Sequence, residues 1–269
     1  MKKLVLALGI SGVALTTNTS YAQDITSDLY LPSEHEFASD TAINFRKFEF
    51  KDNRADKNFI LRESLDAGIG EQAALRFVLA NRFNSADLSS QQYNNDFNMD
   101  YELGIAKNFM LTENWVMQLG GSYYTFDPQS WYGHSYGAKS QIRNDLGNSR
   151  WYKELRGKIK TGYELEDGLL PYATFEVDGN IDNSNRHLEY TAFAGIHKNE
   201  ITYSYDVGLR YQFASNSDNN ESWFMQGASD YFINDDMSIG GYADYRFAGS
   251  YTPKMDYGYS IGARFKVKF

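Results

Sequence analysis

The last thirteen residues, Tyr257 to Phe269 (YGYSIGARFKVKF), alternate without a break between two kinds of side chain. Tyr257, Tyr259, Ile261, Ala263, Phe265, Val267 and Phe269 fall on one face, and Gly258, Ser260, Gly262, Arg264, Lys266 and Lys268 on the other. A period of two is the pattern of a β-strand with one apolar and one wet side. A strand this long and this polarised must place its two faces in different surroundings, and that requirement governs what the rest of the chain can be.

The same alternation recurs upstream. Read with period two, the chain divides into twelve candidate strands: 41–50, 58–69, 73–83, 97–106, 115–127, 150–165, 170–180, 187–197, 201–213, 221–233, 237–248 and the closing segment. The first changes phase near Arg46 and Lys47, which suggests a bulge there. The second places Glu63 on its apolar face, a departure from the pattern. Short links such as Gly70-Glu71-Gln72, Glu166-Asp167-Gly168 and Asn234-Asp235-Asp236 alternate with longer polar ones, the longest being Pro128–Ser149. Most candidate strands run for about nine to thirteen residues, near the nine to eleven that cross a bilayer at a tilt. Strands of soluble sandwiches centre on about five or six.

At the other end, Lys2 and Lys3 precede an apolar run from Leu4 to Leu15 and the small-residue pattern Ser20-Tyr21-Ala22. This reads as a secretory signal peptide over 1–22, with the mature chain beginning at Gln23. The run is too short for a membrane-spanning helix, which needs about twenty residues. An N-terminal periplasmic segment is expected over 23–40 and the barrel over 41–269. Cysteine is absent, so disulfides and structural zinc–thiolate sites are ruled out, and no cofactor or metal is expected. Loss of Lys2 and Lys3 takes the formal charge from -9 to -11, an acidity that argues against nucleic acid as a partner.

The amphipathic closing strand ending in Phe269 resembles the assembly signal of bacterial outer-membrane β-barrel proteins, with Phe265, Val267 and Phe269 as its apolar residues. In size and strand number the mature chain is similar to the small monomeric porins typified by the oligogalacturonate-specific porin family; the likeness is architectural. It implies an all-β fold, a transmembrane antiparallel up-and-down barrel of about 12 strands. It also implies the outer membrane of a Gram-negative bacterium, contact with outer-membrane lipid, and delivery by periplasmic chaperones and the barrel assembly machinery. Those porins look suited to acidic sugars because basic residues dominate their lumen. The mixed sign of this lumen departs from that pattern.

The wet faces collect Arg62, Arg76, Arg82, Arg156, Lys158, Lys160, Arg210, Arg246, Arg264, Lys266 and Lys268. They also collect Asp66, Asp100, Glu102, Glu154, Glu176, Asp178, Glu189, Asp206, Asp230 and Asp244. So many charges cannot sit in a dry core, so either water fills the interior or the charges pair into a salt-bridged plug. Small residues on the same faces (Gly104, Gly120, Gly208, Gly240, Gly262) leave room and point to a narrow pore. Strands twelve, two and three should bring Arg264, Lys266, Lys268, Arg62, Arg76 and Arg82 to one wall. Strands seven to ten should bring Glu176, Asp178, Glu189, Asp206 and Asp230 to the other, with Arg210 and Asp66 as exceptions, giving a transverse field that favours dipolar solutes.

The expected function is a porin-like channel for small polar solutes, not an enzyme. A closed barrel acting as an adhesin or surface structural protein is the alternative, followed by a hydrolase at the outer rim. His134 and Ser135 are adjacent, so on a strand they would point to opposite faces and could not act as base and nucleophile. His187 and Glu189 share a face but have no nucleophile beside them. Trp131, Tyr132 and Tyr136 in the longest loop could stack on a sugar ring or simply mark the membrane interface.

Overall fold

A computed structural model describes residues 31–50, 55–86, 97–126, 152–181, 188–215, 220–249 and 255–269. The expected signal peptide, the segment 23–30, His134 and Ser135 with the loop aromatics, and His187 lie outside the described residues.

Twelve strands follow one another: β1 (Phe37–Phe50), β2 (Ala55–Gly70), β3 (Ala73–Ala86), β4 (Phe97–Met110), β5 (Trp115–Phe126) and β6 (Tyr152–Tyr163). Then come β7 (Leu169–Asn180), β8 (Leu188–Asn199), β9 (Tyr203–Ser215), β10 (Asn220–Asn234), β11 (Met237–Ala248) and β12 (Met255–Lys268). Each pairs antiparallel with its sequence neighbours, and β1 pairs with β12, so the sheet closes without an edge. Closure satisfies every ladder, the condition a sheet must meet in hydrocarbon.

The alternation read from the sequence becomes the inside and outside of this barrel. Leu103, Ile105, Leu155, Ile239 and Ile261 point outward and are more than half exposed, while among the described residues the buried aromatic and aliphatic side chains share the inward parity of the charged ones. A soluble protein would not leave such a continuous apolar outer face. Aromatic pairs lie on that face, Tyr211 against Trp223 with ring centres 4.7 Å apart and Tyr190 between Phe175 and Phe213. Glu63 does face outward, opposite Thr41 and Leu79.

One end carries the short turns: Glu71-Gln72, Leu111–Asn114, Glu164–Gly168, Glu200–Thr202 and Asp235-Asp236. The tightest reversals use the left-handed region, at Gly168 (φ 77°) and Gln72 (φ 56°). Both termini of the barrel lie at this end too. β1 begins at Phe37, ahead of the expected start at residue 41, because Phe37 already pairs with Ala67. The bulge expected near Arg46 and Lys47 is not there. The ladder with β2 runs unbroken from Phe37 to Glu49, and the irregularity against β12 falls between Glu49 and Phe50. The apparent phase change came from apolar and basic residues standing out of pattern, which does not move hydrogen-bond register.

Candidate functional site

Among the described residues, the interior is where these strands bring many ionisable groups together, and the ladder determines which ones meet. Arg62 on β2, Arg76 on β3, Arg156, Lys158 and Lys160 on β6, and Arg264 on β12 all take inward positions. So do Glu102 on β4, Glu176 and Asp178 on β7, Glu189 on β8, Asp206 on β9 and Asp230 on β10. Arg82 and Asp100 sit opposite Ile60 and Ala80 in register; their side chains lie outside the described set. Phe265, Val267 and Phe269 take the outward phase of β12, with Phe265 opposite Thr41 and Ile239.

The charges do not divide into two walls of opposite sign. Arg76 donates from Nε and Nη2 to both oxygens of Asp66, at 2.7 and 2.8 Å. Arg156 reaches Glu102 at 3.2 Å, Glu154 at 3.3 Å and Asp178 at 3.5 Å, and its guanidinium lies 3.8 Å from the centre of the Tyr124 ring. Lys158 stands directly across from Glu176 in the β6–β7 ladder. Asp230, expected on the wall facing Arg264, is instead bonded to it at 2.6 and 2.7 Å and to Lys266 at 2.9 Å. Buried ions are stable only when paired, so local pairing replaces long-range segregation.

The Asp230–Arg264 contact spans a whole strand, β11. It is possible because the intervening inward position is Gly240, where a Cβ would stand 1.9 Å from the Asp230 carboxylate. Two other glycines taken as open space are likewise filled. The Phe193 ring lies over Gly208, and the Tyr242 ring lies over Gly262. Only Gly104 and Gly120 of the expected small residues border the lumen cavity.

The inward aromatics Tyr172, Phe193, Phe224 and Tyr242 are the part of the site that sequence reading passed over. Each has the same parity as the charged residues of its own strand, and that parity was the available signal. They act as supports. The Tyr172 hydroxyl donates to Asp206 at 2.8 Å, its ring stacks on Phe193, and the Lys160 ammonium lies 4.7 Å above it. Arg210 covers Phe224 at 4.0 Å. A desolvated cation over such a ring is stabilised by about 2 kcal/mol. His197 lies 3.4 Å from Asp206 and 3.1 Å from Asn199.

Among the described residues, the half of the lumen near the short turns holds a cavity of about 60 Å³ that is open at its mouth. Its two sides are charged: Arg62, Asp66 and Arg76 from β2 and β3, and Arg156, Lys158 and Glu176 from β6 and β7. Between them β3, β4 and β5 supply a floor of Ala74, Gly104, Ala106 and Gly120 with the polar Gln118 and Ser122 and the carboxylate of Glu102. Pairing leaves alternating dipoles along this passage and little net charge. Among the described residues, no group of His, Asp and Glu is placed to hold a metal ion.

No protein-family model matches the chain, and no curated protein matches it in sequence. Solved structures do match in shape. The COG4313 outer membrane channel from Pseudomonas putida F1 superposes with a TM-score of 0.69 at 12% identity, covering 90% of this chain and 98% of the channel. The NanC porin gives 0.55 at 9% identity over 84% and 98% of the two chains, and the β domain of the Bordetella autotransporter BrkA gives 0.50 at 10% over 86% and 98%. In fold, the chain is a closed β-barrel of the outer-membrane type.

Proposed function

We propose that this barrel spans the bacterial outer membrane and conducts small polar solutes by passive diffusion, without enzymatic chemistry. The observation that carries this reading is the cavity between β2 and β7, whose paired ions and small-residue floor suit a hydrated dipolar solute better than an apolar one. Likeness to an outer membrane channel and a porin supports it at the level of fold. Insertion would follow delivery by periplasmic chaperones and the barrel assembly machinery, with Phe265, Val267 and Phe269 facing lipid. Because acidic and basic groups pair locally, ion selectivity should be weak.

A second reading is a closed barrel serving as a surface protein through its loops. It is favoured by the rings of Phe193 and Tyr242 and the Asp230 carboxylate, which occupy the space beside Gly208, Gly262 and Gly240. Single-channel recording of the refolded protein in a planar bilayer separates the two. Stepwise conductance supports the channel, and a bilayer that stays silent with the folded wild type and with variants that widen the passage supports the closed barrel.

A further inference from the structure

The chain does not simply leave the barrel ahead of β1. Residues 31–36 turn back at the short-turn mouth and lie against the inner face of β2. The His35 amide donates to the Gly68 carbonyl at 3.3 Å, and the Gly68 amide donates to the Glu36 carbonyl at 2.9 Å. His35 takes a left-handed conformation (φ 68°) to make the reversal. Gly68 points inward, and a Cβ there would stand 1.8 Å from the Ser33 carbonyl oxygen, so the glycine is the notch that admits this segment. Glu36 locks the turn from two sides, accepting from the Ser33 amide at 2.9 Å and from the Lys268 ammonium at 3.1 Å. Pro32 is buried, and Leu31 reaches the cavity beside Arg62, Asp66 and Arg76.

We propose that Leu31 is the size-determining residue at the short-turn mouth of the passage, held there by the Ser33–Glu36 clasp in the Gly68 notch. This rests on the channel reading above. The β1–β2 ladder is complete from Phe37 onward, so barrel closure does not need the segment. An isobutyl group among ion pairs is also a poor choice for stability alone, since it stabilises neither charge. It narrows the path and repels water, which is how an apolar constriction limits permeation.

The test compares wild-type protein with Leu31→Ala and Gly68→Val in planar bilayers, with folding verified by gel mobility before and after boiling. Leu31→Ala removes the constriction, and Gly68→Val evicts the clasp by a different route. Each should raise conductance at least about twofold. The absence of native cysteine permits a third readout. A bulky charged methanethiosulfonate should block current through Leu31→Cys and leave Ile201→Cys, on an exposed turn, unaffected. A silent wild type opened by either variant also supports the proposal. Conductance unchanged by both variants, with no block at Leu31→Cys, overturns it while leaving the channel intact. Silence in every variant overturns the channel reading and the constriction together.

Discussion

Phe37 and Phe269 exchange both backbone hydrogen bonds, at 2.8 and 2.9 Å, and their rings stack with centres 5.9 Å apart. The first residue of β1 and the last residue of the chain thus form the lowest rung of the β1–β12 seam. In a barrel that closes last at this seam, the rung decides whether the final ladder begins in register.

Phe269→Asp removes the ring contact and places a carboxylate in the outward row of β12. The aromatic pair itself contributes about 1 kcal/mol. The larger effect should be on assembly, with the amount of heat-modifiable protein in the outer-membrane fraction falling several-fold. Phe269→Tyr, which keeps the ring, should restore most of it. A normal yield of Phe269→Asp would count against this role for the terminal rung.

Gly240→Val should destabilise the barrel by about 3–5 kcal/mol, the cost of breaking a buried ion pair. The valine Cβ would occupy the space through which Asp230 reaches Arg264. Gly157→Ala is the control, since a Cβ there meets nothing within 4 Å. It should stay within about 0.5 kcal/mol of wild type. Urea midpoints of refolded protein in detergent or lipid vesicles measure both.

Arg76→Gln leaves the Asp66 carboxylate on the cavity wall without its bidentate partner, so the reversal potential in a salt gradient should move toward cation preference. Glu176→Gln should move it the other way. A change of about twofold in the permeability ratio is expected for a charge on a narrow passage. Asp230→Asn, whose parent residue does not border the cavity, should leave the ratio unchanged. An equal shift from Asp230→Asn would mean that the conducting path lies elsewhere.

Glu36 supplies a pH dependence. The Ser33 backbone amide and then the Lys268 ammonium hold its carboxyl below the ordinary carboxylate value of 4.5. A carboxylate with a lowered folded value stabilises the clasp above the ordinary value and loses that contribution as pH falls through the lowered one. Conductance should therefore rise on acidification below about pH 4 and be flat between pH 6 and 8, within the range where carboxylates stay ionised. Glu36→Gln should show the higher conductance at every pH. An acid response that persists unchanged in Glu36→Gln would assign it to another group.

Most of the architecture was legible because strand periodicity is local. Parity along β4 or β12 follows from consecutive side chains, so the inward set from Arg62 to Arg264 and the outward set from Phe59 to Phe269 could be written down from residue order alone. Strand order was legible for the same reason, since each link joins neighbours. Glu63 could be placed on the outer face even though its chemistry argued otherwise.

Which inward residues meet was not legible. Arg156 binds Glu102 across β5, Tyr172 binds Asp206 across β8, and Arg264 binds Asp230 across β11. Curvature explains this: inside a closed barrel, side chains converge toward the axis, so long ones reach past the neighbouring strand to the next whenever a small residue such as Gly240 intervenes. Alternation by itself determined strands with one apolar and one charged or polar face, while the pairing of β1 with β12 is what closes them into a barrel. Only the tertiary structure decided that the interior charges pair locally rather than across the lumen, that Phe193 and Tyr242 fill the gaps left by glycines, and that Leu31 turns back into the mouth, because these depend on distances between strands far apart in sequence.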